Sequence, residues 1–153
     1  MDVKFINPVL DSIVNILVTM ANMEPTAGKP GIKPDNISLG VVSGLIDLKG
    51  KQANGSVAIS FSKEAVFAIV KAMLRTEPTE VDDMVKDLVG EIANMIAGGA
   101  KAKLEEKGYD FELSLPVVLA GENHEINHSV KGVTVVLPFN TDAGDFFVEI
   151  CFA

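Results

Sequence analysis

Two groups of residues in this chain have types and spacings that could do chemistry. The first is Glu91-Ile92-Ala93-Asn94, a carboxylate and a carboxamide three residues apart, which become neighbours on one face if the segment is helical. A carboxamide carries an acceptor oxygen and an NH2 donor on one planar group, so it can orient a water without being ionised. A carboxylate beside it repels a phosphoryl group at contact distance and needs an intervening cation, such as a lysine brought by a partner. The second group is His124-Glu125-Ile126-Asn127-His128, which matches the His-Glu-x-x-His pattern. In that pattern the two histidines bind zinc and the glutamate acts as base, all from one helix.

The surroundings of the two groups differ. His124 to His128 lie directly after Gly121 and before Ser129-Val130-Lys131-Gly132-Val133, between two strand-like runs. In an extended chain the histidines would sit about 13 Å apart, too far to share one zinc. They read as loop or strand-end histidines, and no metal site is assigned. Cys151 lies in an apolar strand-like run and reads as a buried thiol. Nothing in the chain forms a nucleotide loop of the P-loop or Rossmann type.

Glu91 and Asn94 belong to the longest predicted element, a helix from about Asp82 to Lys107. It has acidic residues at its start, Lys101, Lys103 and Lys107 near its end, and Gly108 as C-cap. At 100° per residue, Val85, Leu88, Ile92, Met95, Ile96 and Gly99 form the side that must pack on a sheet. Asp83, Asp87, Glu91, Asn94, Gly98 and Lys101 fall on the opposite side, toward solvent or a partner. An arbitrary Glu-x-x-Asn on such a face is most often mere solvation. Two features weigh against that here. Asn is a poor mid-helix residue with nothing to pack, and Gly90, Gly98 and Gly99 each cost a helix about 1 kcal/mol, which suggests close approach by another surface.

The rest of the chain supplies a scaffold. Asn7-Pro8 reads as the N-cap and first position of a helix to about Asn22, with apolar Val9, Leu10, Ile13, Val14, Leu17 and Met20 at helical spacing. Glu24 to Pro34, rich in Pro and Gly, is a connector. Ile37 to Leu48 and Gly55 to Phe61 read as a hairpin, and Ser62 caps a helix over roughly Lys63 to Arg75. Phe111 to Ala120, Val130 to Phe139 and Phe146 to Phe152 resemble strands, with a turn-rich stretch at Asn140 to Asp145. An apolar C-terminal strand left on a sheet edge would invite pairing with another chain.

A length of 153 residues with 48% hydrophobic content suits one domain over residues 1–153. The formal charge of -8 would repel a nucleic-acid backbone. A lone cysteine allows no intrachain disulfide, no signal peptide is read at the N-terminus, and no apolar run approaches the ~18 residues of a membrane span, so a soluble, cytoplasmic protein with no membrane partner is expected.

Gly90-Glu91-Ile92-Ala93-Asn94-Met95-Ile96-Ala97-Gly98 resembles the signature helix of the CheX family of chemotaxis phosphatases. Asn7-Pro8, Gly28-Lys29-Pro30, Gly44 and Leu115-Pro116-Val117 through Gly121 also sit where that family places similar residues, so the resemblance covers nearly the whole chain. Related CheC proteins usually carry two Glu-x-x-Asn copies; the first helix here has only Asp11 and Asn15, at a different spacing, which is CheX-like. The resemblance implies an α/β (α+β) fold with long helices packed against an antiparallel sheet, and a homodimer whose sheets become continuous. It also implies a phosphatase acting on the aspartyl phosphate of a CheY-like response regulator. In that reading Asn94 positions the attacking water and Glu91 pairs with a regulator lysine, while Asp87, Gly98 and Lys101 bind the partner. The chain needs no cofactor of its own, the magnesium belonging to the regulator. The alternative is a non-catalytic CheC-like binding module in chemotaxis or flagellar signalling.

Overall fold

The computed structural model describes residues 3–153. The helices are α1 (Val3–Ala21), α2 (Lys63–Leu74) and α3 (Asp83–Glu106). The strands are β1 (Thr26–Ala27), β2 (Gly31–Ile32), β3 (Val42–Gly50), β4 (Asn54–Phe61), β5 (Phe111–Leu113), β6 (Val117–Ala120), β7 (Val135–Thr141) and β8 (Gly144–Phe152). The eight strands form one sheet in which every pairing is antiparallel, in the order β1-β7-β8-β4-β3-β5. β2 also pairs β7 at one edge, and β6 also pairs β3 at the other. The fold is therefore α+β, helices against an antiparallel sheet, as expected.

Strand alternation divides the sheet into two unlike faces. Val42, Ile46, Leu48, Val57, Ile59, Phe61, Leu137, Phe139, Phe146, Val148, Ile150 and Phe152 share one hydrophobic core with the buried sides of all three helices. Ser43, Ser56, Ser60, Glu149 and Cys151 alternate with them and point the other way, yet they are buried too. Polar loops cover that second face.

Several boundaries differ from the sequence expectation. α1 starts at Val3, so Pro8 lies inside it and is not its first residue. Phe5 stacks on Phe152 at 4.6 Å and meets Tyr109 edge-on at 5.2 Å, and this packing keeps the turn before the proline helical. The added turn also creates an 18-residue window, Lys4–Ala21, apolar enough by length and composition to cross a membrane, which the sequence reading did not find. Here Val9, Ile13, Leu17 and Ala21 of that window are core residues. The Pro- and Gly-rich connector contributes the two short strands β1 and β2 along β7. The hairpin's first strand begins at Val42, since Ile37 makes only an isolated bridge to Glu125.

The expected strand Phe111 to Ala120 is broken between β5 and β6. Pro116 has no N–H to donate, and Ser114 occupies β3 at Asp47 with both its backbone N–H and its hydroxyl oxygen. Leu115 is thereby thrust outward. Val130 to Thr134 are loop, because they lie over the polar face and β7 begins only at Val135. β8 is no edge strand, being flanked by β4 and β7, so the argument for a dimer from a sticky C-terminal edge does not hold.

Candidate functional site

α3 is set at both ends by local chemistry. The Asp82 carboxylate caps its N-terminus by accepting from the Val85 N–H at 3.0 Å. At the other end Gly108, at φ +91°, lets its own N–H reach the Glu105 carbonyl while Tyr109 reaches that of Leu104, a Schellman close. Between them the buried side is wider than a single stripe: Val89, Ala93, Ala97, Ala100 and Leu104 join Val85, Leu88, Ile92 and Ile96. The helix packs in two directions at once, on β3 and β6 below and along α1 at its flank. Met95 and Gly99, expected in the core, are only half-buried.

Three glycines mark these close approaches. A Cβ at Gly44 in β3 would sit 2.8 Å from the Ala93 Cβ, so the strand can lie tight beneath the residue preceding Asn94. Ser12 of α1 packs onto Gly99, and its hydroxyl donates to the Ile96 carbonyl at 2.9 Å; Gly99 thus serves helix–helix rather than helix–sheet packing. A Cβ at Gly90 would come within 3.2 Å of Val118 and 3.8 Å of Pro116, so this glycine brings β6 against α3.

The exposed side of α3 carries Asp83, Asp87, Glu91 and Asn94. None of these four makes a side-chain hydrogen bond or ion pair among the described residues. Asp87, Glu91 and Asn94 line an open cleft of about 470 Å³ with Lys86 and Gly90 on one wall and Leu115, Pro116 and Val118 on the other. Gly98 and Lys101, expected on the same face, lie beyond that cleft. A Cβ at Gly98 would meet nothing within 4 Å. Lys101 turns to Glu105 and, at 3.8 Å, to Asp110. Its hydrogen bond to Glu105 raises its pKa against a smaller opposing effect of burial, and Asp110 adds to the rise.

Sequence reasoning missed the second wall. Leu115, Pro116 and Val118 come from a broken edge strand distant in sequence; the resemblance singled out Leu115-Pro116-Val117 without placing it, and the physical signal was Gly90, whose cost to the helix pointed to a close neighbour.

The histidines lie across the sheet from this cleft. His124 donates from Nδ1 to the Gly121 carbonyl at 2.7 Å and sets Nε2 2.7 Å from Ser43 Oγ. His128 has Nδ1 2.7 Å from Ser56 Oγ and Nε2 3.0 Å from Glu149, whose other oxygen pairs with Lys33 at 3.0 Å. Both ring nitrogens of each histidine are thus engaged by different protein groups, and the pair clamps the 121–134 loop onto the polar face. Among the described residues no cluster of three or more His, Cys, Asp and Glu side chains is arranged to hold a metal ion.

The model of the family described as chemotaxis phosphatase CheX matches residues 42–140, from β3 through most of β7 and including all of α3. The chain belongs to the CheX family. It is 29% identical over 149 residues to the CheY-P phosphatase CheX of Thermotoga maritima, covering 96% of this chain and 94% of that one. The crystal structure of a CheC-like superfamily protein from Shewanella sp. PV-4 superimposes with a TM-score of 0.93 at 47% identity, covering 100% of this chain and 99% of the other. A CheX-CheY-BeF3-Mg complex from Borrelia burgdorferi contains a chain matching with a TM-score of 0.80 at 31% identity over 97% of each. In this CheX-family chain the matched residues include both α3 and the wall of the cleft formed by Leu115, Pro116 and Val118.

Proposed function

We infer that this protein is a phosphatase for the aspartyl phosphate of a CheY-like response regulator, with Asn94 and Glu91 as the residues it inserts. The observation that carries this reading is the pairing of an exposed carboxylate and carboxamide on one helix face, at an open cleft and without partners of their own. Support comes also from the Thermotoga maritima relative, a CheY-P phosphatase, and from the Borrelia burgdorferi relative, found in complex with CheY, BeF3 and Mg. Residues 1–153 act as one phosphatase domain, and the shared core of helices and sheet supports that extent.

Hydrolysis of an acyl phosphate passes through a loose transition state, so catalysis consists mostly of positioning and electrostatic support. Asn94 Oδ1 accepts from the attacking water and its NH2 donates to a phosphoryl oxygen, which holds the water in line. The water oxygen forms the new bond to phosphorus, the bond to the aspartyl oxygen breaks with its electron pair, and the water proton leaves on inorganic phosphate. Glu91 pairs with a regulator lysine and thereby neutralises the repulsion its carboxylate would meet. Asp87 adds to the attraction, Gly98 leaves clearance for the incoming surface, and Lys101 bounds the face. The regulator brings its own magnesium. The working assembly is a homodimer in the cytoplasm, each copy keeping its α3 face open; light scattering at micromolar concentration tests the dimer.

Mixing the protein with phosphorylated CheY-like regulators and following loss of the acyl phosphate tests the activity. Faster loss than the regulator's own decay is expected. Binding without faster loss would favour the non-catalytic module.

A further inference from the structure

Leu115 is 87% exposed, although a leucine gains about 1.5–3 kcal/mol on burial. It is also held in place. Ser114 anchors one side of it to Asp47 of β3 through backbone and hydroxyl, and Pro116 fixes the backbone on the other. A side chain presented this way has little freedom to lose when a partner covers it. Gly90 brings the link carrying it against α3, so Leu115, Pro116 and Val118 share one cleft with Glu91 and Asn94.

We propose that Leu115 is a specificity-determining contact for the phosphorylated regulator, seating an apolar side chain set in a basic surface beside the aspartyl phosphate. The inference rests on the function proposed above and names the recognition it requires. Charge selects the occupant. Asp87 and Glu91 line the cleft with one lysine, Lys86, and Asp83 extends the acidic row one turn beyond it; among the described residues none of the three acids is in an ion pair. A second copy meeting this face around a two-fold axis would set two such acidic rows against each other and cover Asn94. A basic partner surface pairs with the row and leaves the apolar wall to a matching apolar side chain.

The test compares Leu115→Ser with wild type in steady-state dephosphorylation, direct binding and light scattering, with Asp87→Lys as a second variant. Because Leu115 is exposed, the serine variant should keep its melting temperature. Its KM and Kd for the regulator should both rise roughly 10-fold, the loss falling on KM rather than kcat. Asp87→Lys should raise KM most at low ionic strength. Unchanged KM and Kd for Leu115→Ser, beside an active wild type, would overturn the role given to Leu115. So would a change of oligomeric state with KM unaltered, which would give the surface to a second copy. A wild type that binds the regulator without hydrolysing it would sink the phosphatase reading alone, since the Kd of Leu115→Ser still decides the Leu115 contact. No binding at all would end both.

Discussion

The two faces of the sheet carry two sets of residues that look equally chemical in the sequence, and the structure treats them oppositely. Over the polar face Lys33, Glu149, His128 and Ser56 are buried and bonded to one another, and the described residues leave no buried side-chain polar atom without a partner. On α3, Glu91 and Asn94 are exposed and bonded to nothing among the described residues. A group whose hydrogen bonds are all met inside the protein is spent on holding it together. One left unpartnered at a cleft remains available to a ligand, and it pays no desolvation cost while it waits.

The largest effect tests the first half of that contrast. Glu149→Ala would strand Lys33, only 3% exposed, and His128 without their acceptor. Breaking such a buried pair costs about 3–5 kcal/mol. Urea unfolding should show this loss, while phosphatase activity per folded molecule should hold. Asn94→Ala should do the reverse, lowering kcat about 100-fold, as when a transition-state positioning group is removed. Its stability should rise by up to about 0.7 kcal/mol, because Ala is the better helix former at an exposed position. A variant that loses stability along with activity would break the contrast.

Glu91→Ala should cost about 10-fold in kcat/KM, with a defect that grows as salt is lowered, because the wild-type charge pairing is then strongest. A defect independent of ionic strength would remove the lysine pairing. The smallest effect belongs to His124→Ala, which should lose about 1–2 kcal/mol with its bonds to Gly121 and Ser43. Activity should be unaltered, and metal analysis of protein purified without a histidine tag should find no stoichiometric zinc before or after the change. One zinc per chain would turn the polar face from a clamp into a site.

Much of this was readable from residues in order, because it depends on neighbours along the chain. Ser62 as a cap, the start of α3 near Asp82, Gly108 as helix close, and the exposed row Asp83, Asp87, Glu91 and Asn94 all follow from local rules of spacing and hydrogen bonding. Boundaries failed where distant contacts override such rules. Asn7-Pro8 signals a helix start, but Phe5 is held by Phe152 and Tyr109 from the far end of the chain, and the helix extends past the signal. The arc of α3 that is buried was underestimated because periodicity describes one packing surface and this helix has two, the sheet and α1.

The sequence by itself determined that α3 forms, which side of it faces out, and that Glu91 and Asn94 stand together there, since a 3.6-residue period needs no information from elsewhere. Only the tertiary structure decided what stands opposite them. Leu115, Pro116 and Val118 reach the cleft because Ser114 and Pro116 break an edge strand and Gly90 admits it against the helix. It likewise decided that His128 is a clamp, because strand register across β4 and β8 brings Ser56 and Glu149 to it, and the segment after β2 brings Lys33 to Glu149, which no local pattern encodes.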